Sequence, residues 1–273
     1  MTPSRWLIRD GLRLAVHAGG NDGLPLVFQH GLCGDARQIA EAMDGLGGQR
    51  WQALECRGHG ASELGPEISI ALFASDVAAM IETMPGPVVL GGISMGAAIA
   101  ARLAITRPDL VRALVLVRPA WLTDAAPRNM APNAVVGALL AQMTADKARE
   151  VFGHSRTAQR LAQVAPDNLN SLTSFFDRKP LAVTARLLTA ISADGPGINA
   201  SDLAKLRLPV LVCGTTEDDV HPVTLARTMA SLIPNARLVE LPPKSRDKPA
   251  HLAALASAMT LFLKEISNEP PQA

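Results

Sequence analysis

The sequence has no tyrosine and only three tryptophans and six phenylalanines among its 273 residues. So small an aromatic stock leaves few platforms on which unpaired bases could stack. Charge of one sign is also missing: 26 basic residues face 25 acidic ones, the net charge is +1, and no run of like charges occurs. No basic face is therefore expected for a phosphate backbone or an anionic membrane surface, and small neutral or weakly charged molecules are the expected partners. Cys33, Cys56 and Cys213 are odd in number and far apart, with neither a C-x-x-C pair nor a histidine at metal-ligand spacing. That pattern argues against a disulfide framework and against a metal site. No apolar run approaches the about 20 residues of a membrane span, and the opening M-T-P-S-R-W-L-I-R-D lacks the apolar stretch of a signal peptide, so a cytoplasmic location is expected.

What is present is apolar material in a regular order. At 48% hydrophobic, the chain is rich enough to bury a sizeable core. Trp6 to Ile8 and Leu12 to Val16, joined by Asp10-Gly11, read as a hairpin, because Asp-Gly supplies the positive φ angles of a tight turn. Short apolar runs then alternate with helical spacing. The strand candidates are Leu26 to Gln29, Trp51 to Leu54, Val88 to Gly91, Ala113 to Val117, Val210 to Gly214 and Arg237 to Leu241. Helical patterns cover Ala36 to Leu46, Ile70 to Met84, Met95 to Thr106, Pro222 to Leu232 and Pro249 to Ile266. This is the pattern of an α/β protein with a mostly parallel central sheet and helices on both faces.

From Arg118 to about Leu203 the alternation stops and only helical patterns remain: Asn133 to Met143, Asp146 to Phe152, Thr157 to Val164, Asn168 to Asp177 and Leu181 to Ile191. The simplest organisation is a core from residues 1–118 and 204–267, an inserted helical lid from 119–203, and a frayed tail from 268–273. Placed at the C-terminal end of a strand, such an insertion lies over the crevice in which open α/β sheets bind ligands.

The stretch L-G-G-I-S-M-G-A at residues 90–97 lies between a strand and an alanine-rich helix. G-x-S-x-G in that setting forces a sharp turn that exposes the serine at the top of the sheet, and the helix N-terminus offers free N–H groups where an oxyanion would develop. Read more plainly, the same glycines form a tight connection.

Four motifs together carry a resemblance to the α/β-hydrolase fold family over nearly the whole chain. They are Gln29-His30-Gly31-Leu32, Glu55-Cys56-Arg57-Gly58-His59-Gly60-Ala61-Ser62, Gly92-Ile93-Ser94-Met95-Gly96 and Gly214-Thr-Thr-Glu-Asp218-Asp219-Val-His-Pro222. The resemblance implies that Ser94 is a nucleophile and that the backbone N–H groups of Leu32 and Met95 form the oxyanion hole. Where relatives carry D-x-R-G-H-G, this chain has Glu55, and a structural role is expected for Glu55, Arg57, His59 and His30.

A serine hydroxyl needs a histidine base, and that histidine needs a carboxylate, in the chain order Ser, acid, His. Glu217, Asp218 and Asp219 compete for the acid; Asp218 has the family's four-residue spacing to Pro222, and Asp219 is second choice. Relatives place a histidine after the last strand, near Lys244-Ser245-Arg246 here, where there is none. His221 reads as too close to the acid, which leaves His251, at the start of the last helical pattern, as the candidate base.

The expected activity is that of a serine hydrolase, carboxylesterase-like, forming an acyl-enzyme with a small, largely apolar ester or related carbonyl compound; lactone, thioester and carbon-carbon cleavage stay open. No cofactor is implied, and a homo-oligomer is compatible with the sequence. Trp121, Met143 and Phe175 are candidates for lining the substrate pocket, although apolar residues at such spacing also read as core. Cys33 reads as a small buried hydrophobe, and Arg118 as the partner of a substrate carboxylate or of Asp124. The displaced His251 keeps a second reading alive, a small-molecule-binding protein on the same scaffold with an incomplete triad.

Overall fold

The computed structural model describes residues 1–268. Eight strands form one sheet: β1 Arg5–Arg9, β2 Leu12–Gly19, β3 Asp22–Gln29, β4 Gln49–Leu54, β5 Val88–Ile93, β6 Val111–Val117, β7 Val210–Thr215 and β8 Ala236–Leu241. Their order across the sheet is β1-β2-β4-β3-β5-β6-β7-β8, with β2 antiparallel to both neighbours and the other pairs parallel. The parallel strands are covered on both faces, which is why β5, β6 and β7 read as almost uninterrupted apolar runs. After β3 the chain steps outward to β4 and returns to the other side of β3 for β5. Open α/β sheets form their ligand crevice at such a reversal, beyond the strand C-termini.

The helices α1 (Ala36–Met43) and α11 (Lys248–Asn268) cover one face, where Ile39, Met43, Leu255, Met259 and Phe262 meet Phe28, Val115 and Leu211. The other face is covered by α2 (Ile70–Ile81), α3 (Met95–Thr106) and α10 (Val223–Leu232). The small side chains of α3 let it lie close to the strands, and nine of its residues are buried. The pattern expected over Ala36 to Leu46 ends earlier as α-helix: from Asp44 the backbone tightens into a 3-10 turn, and left-handed Gly47 stops it.

Between β6 and β7 run α4 (Ala131–Gln142), α5 (Ala145–Gly153), α6 (Arg156–Val164), α7 (Pro166–Ser174), α8 (Leu181–Ala193) and α9 (Ala200–Lys205). The first five enclose a core of their own around Val136, Phe152, Leu161, Leu172, Phe176 and Leu188. The short α9, absent from the sequence expectation, instead sends Leu203 into the core of the main sheet. Asn268 closes α11, and residues 269–273 of the expected frayed tail lie outside the described residues. No described helix is long and apolar enough to cross a membrane.

Candidate active site

Ser94 sits between the last residue of β5 and the first of α3 at φ 58°, ψ −109°, a left-handed backbone that is strained for any residue with a side chain. The flanking glycines are what permit the turn. A Cβ on Gly92 would stand 2.5 Å from the backbone of Gly96, and one on Gly96 would stand 2.3 Å from the carbonyl oxygen of Gln29. The Ser94 N–H is given to the carbonyl of Val117 at 2.9 Å, which ties the turn to the end of β6. Met95 opens α3, so its N–H belongs to the first turn, whose N–H groups have no partner within the helix. The segment carrying Leu32 lies alongside: a Cβ on Gly31 would touch the Cβ of Ser94 at 3.5 Å.

The histidine that meets Ser94 is His221. Its Nε2 lies 2.8 Å from Ser94 Oγ, and its Nδ1 lies 2.9 and 3.0 Å from the two carboxylate oxygens of Asp218. That carboxylate fixes the tautomer: Nδ1–H donates to Asp218, and Nε2 accepts from the Ser94 hydroxyl. Arg118 Nη2 pairs with Asp218 Oδ2 at 2.7 Å and comes within 3.1 Å of His221 Nδ1. With Nδ1 already protonated, the carboxylate mediates that last approach. Within the chain, Arg118 thus pairs with Asp218 rather than with Asp124.

These contacts set the charges. Burial alone would raise the Asp218 carboxyl, but the charges of His221 and Arg118 and the hydrogen bonds it accepts hold it well below the usual carboxylate range. His221 is pushed below its ordinary value because burial, helped by the Arg118 charge, disfavours the imidazolium more than Asp218 favours it. The resting imidazole is neutral near pH 7, as a proton acceptor must be.

The structure does not bring His251 to Ser94. His251 is buried in the first turn of α11, and its Nδ1 lies 2.9 Å from the carbonyl of Pro242. The reason is in the loop after β8. Arg246, in the stretch Lys244-Ser245-Arg246 near which the family resemblance expects a histidine, forms an ion pair with Glu217, and Lys244 pairs with Asp167 at 3.1 Å; between them they tie the loop to the neighbouring segments. Of the three competing carboxylates, Glu217 is thus engaged by Arg246 and Ser245, Asp219 makes a two-point pair with Arg160, and Asp218 faces the histidine. His221 was legible in one respect only: it is the histidine of the segment that already holds the acid.

Trp121, Met143 and Phe175 lie in three different surroundings. Trp121 is buried in the main core with its Nε1–H on the carbonyl of Asp194, Met143 is exposed at the end of α4, and Phe175 packs on the core of the intervening helices. Their spacing reflected packing. Leu32 and Cys33 do sit where the two cores meet. Burial pushes the Cys33 thiol up to about 12.

The neighbouring polar residues support the loops. Glu55 accepts from Ala36 N–H at 3.0 Å and Ala61 N–H at 2.6 Å, and Arg57 forms a two-point buried pair with Asp76 at 2.7 and 2.9 Å. His59 Nε2 accepts from Cys33 N–H at 3.1 Å, and His30 Nε2 from Cys56 N–H at 3.0 Å. Arg178, beyond α7, donates to the carbonyls of Cys33 and Gly58 at 3.1 and 3.0 Å. Among the described residues, no group of three or more His, Cys, Asp or Glu is arranged to hold a metal ion.

Comparison with known proteins places the chain in a family. The chain is 35% identical to the sn-1-specific diacylglycerol lipase ABHD11 of Mus musculus over 148 residues, 52% of this chain and 46% of that protein, so the match spans about half the relative's length. It is 28% identical to the "Putative non-heme bromoperoxidase BpoC" of Mycobacterium tuberculosis over 81% of this chain and 86% of that one. Among solved structures, an esterase from Thermogutta terrifontis superposes with a TM-score of 0.71 at 21% identity, covering 97% of both chains, a likeness of fold. A family model described as alpha/beta hydrolase fold matches residues 25–246. The chain belongs to the α/β-hydrolase fold family.

Proposed function

We propose that this protein is a serine hydrolase that cleaves a small, largely apolar ester or related acyl compound, with Ser94 as nucleophile, His221 as general base and Asp218 as the acid. The observation that carries the reading is the 2.8 Å contact between His221 Nε2 and Ser94 Oγ. A nucleophile and base at hydrogen-bond distance, with the base oriented by a carboxylate, are the minimum equipment for acyl transfer.

In this mechanism His221 takes the Ser94 proton as Oγ attacks the carbonyl carbon. The developing oxyanion is held by the N–H groups of Leu32 and Met95, and His221 passes its proton to the leaving alcohol. Water then enters, gives a proton to His221 and attacks the acyl-enzyme, releasing the acid and restoring Ser94. Removing one oxyanion donor typically costs about 10² to 10³ in rate, so the turn that presents Met95 contributes beside the triad. The helices between β6 and β7 act as a lid in this reading. Ser94 is 7% exposed, and Leu32 and Cys33 in the adjoining segment pack on the core of those helices, which favours an apolar acyl group.

The test is turnover of a short-chain p-nitrophenyl ester together with labelling by a fluorophosphonate probe. Wild type is expected to hydrolyse the ester and to be labelled at Ser94, and Ser94→Ala and His221→Ala are each expected to abolish turnover. A folded wild type that neither turns over a broad ester panel nor takes the probe would refute the proposal.

A further inference from the structure

We propose that Asn168, on α7 of the intervening helices, is a positioning residue for His221: it holds the 218–221 loop in the turn that carries the imidazole between Asp218 and Ser94. The inference rests on the reading of His221 as the base.

A histidine three residues beyond its acid can return to that carboxylate only if the loop doubles back tightly. Such a turn directs consecutive N–H groups inward, where each needs an acceptor. The loop follows left-handed Glu217, φ 58°. His221 N–H is satisfied by Asp218 Oδ1 itself at 2.9 Å. The next two inward groups, Asp219 N–H at 2.7 Å and Val220 N–H at 3.0 Å, both go to Asn168 Oδ1. The other end of the same amide, Asn168 Nδ2, donates to Asp218 Oδ1 at 2.9 Å. One carboxamide therefore fixes the curvature of the loop and the orientation of the carboxylate together, a task that needs an acceptor and a donor on one short side chain. Asn168 is 3% exposed, so water is poorly placed to replace it. Arg118 approaches the same carboxylate from the end of β6, so Asp218 is gripped from the sheet and from the intervening helices.

A second link between the same helices and the same loop serves as an internal comparison. Arg160 on α6 holds the Asp219 carboxylate at 2.6 Å through both Nη atoms, on the exposed side. If the loop only needed anchoring to these helices, Arg160 would matter as much as Asn168. If the turn is the point, only Asn168 matters.

The experiment measures kcat and KM for a p-nitrophenyl ester as a function of pH in Asn168→Ala, Asn168→Asp, Arg160→Ala and His221→Ala, with the melting temperature of each. Asn168→Ala is expected to lower kcat about 10²-fold with little change in KM, the loss that accompanies about 1 Å of misplacement of a catalytic group. Asn168→Asp, near-isosteric and able to fold if the alanine variant does not, keeps the acceptor for both N–H groups but sets a second carboxylate against Asp218. The added negative charge favours the imidazolium, so the acid limb of kcat/KM is expected to move to higher pH. Arg160→Ala is expected to keep both kcat and the acid limb. Wild-type kcat and an unmoved limb in the Asn168 variants would overturn the inference while leaving the base assignment intact. So would an equal loss of kcat in Arg160→Ala. Full turnover in His221→Ala would remove the base assignment, and this inference with it.

Discussion

Asp218 and His221 stand three residues apart in one loop, and a single carboxylate oxygen of Asp218 receives both the backbone N–H and the ring Nδ1–H of His221, each at 2.9 Å. Acid and base thus form one local unit, and the serine, 127 positions from the histidine, is the distant partner. In this arrangement the loop after β8 is left with structural work, and the candidate residues can be separated by experiment.

His251→Ala should keep turnover near that of wild type while lowering stability. The variant loses the buried ring and its hydrogen bond to the Pro242 carbonyl, which keeps only the longer contact from the Thr215 hydroxyl at 3.2 Å, so a cost of about 1–3 kcal/mol is expected. Ester kinetics and urea unfolding on the same preparation check both halves; abolished turnover with intact folding would restore His251 as a candidate base.

Arg118→Gln should shift the acid limb of kcat/KM to higher pH. With His221 as the proposed base, activity requires its neutral form, and burial first and the Arg118 charge second among the lowering influences keep its pKa below the ordinary value of 6.5. Removing that cation favours the imidazolium, so a higher pH is needed to empty Nε2. An acid limb that stays in place or moves downward would show that the 3.1 Å approach has no electrostatic effect on the ring.

The Arg57–Asp76 pair predicts a large stability effect away from the chemistry. Asp76 is fully buried and takes two hydrogen bonds from the guanidinium, so Asp76→Ala strands a buried cation and should cost about 3–5 kcal/mol. The expected result in denaturant titration is a lower midpoint at similar slope; a change under about 1 kcal/mol would mean that Asp10, the third member, suffices to hold Arg57.

The three thiols should be silent in the native protein. Burial pushes Cys33 and Cys213 up to about 12, and the Cys56 thiol is also raised by burial. A disulfide reagent at pH 8 should therefore modify almost none of them before unfolding and three per chain in urea. Cys33 is half-buried where Cys56 and Cys213 are buried, so rapid native labelling at Cys33 would show that its raised pKa alone does not protect it.

The frame of the fold is legible in the sequence because parallel strands buried on both faces must be apolar throughout, as Val210 to Cys213 are, and because Gly92 and Gly96 mark a turn that no larger residue fits. The helix α9 is not legible, since its six residues are too few to display a period. The geometry of His221 is hidden for a different reason. Three residues read as too little chain for a histidine to turn back onto its acid, whereas a loop capped by a side chain from another element brings residues 218 and 221 into contact. Trp121, Met143 and Phe175 show the limit of composition, which cannot tell a side chain that lines a space from one that fills it.

Arg178 joins the carbonyl of Cys33 to a segment 145 positions later in the chain. Contacts of such span carry a larger loop-closure cost than local strand and helix pairs, so this one is expected to close after them. The sheet can therefore regain its secondary structure while the backbone beside Ser94 is still loose. Recovery of ester turnover should trail recovery of the far-ultraviolet signal, and the interval between them is the time the helices between β6 and β7 take to dock.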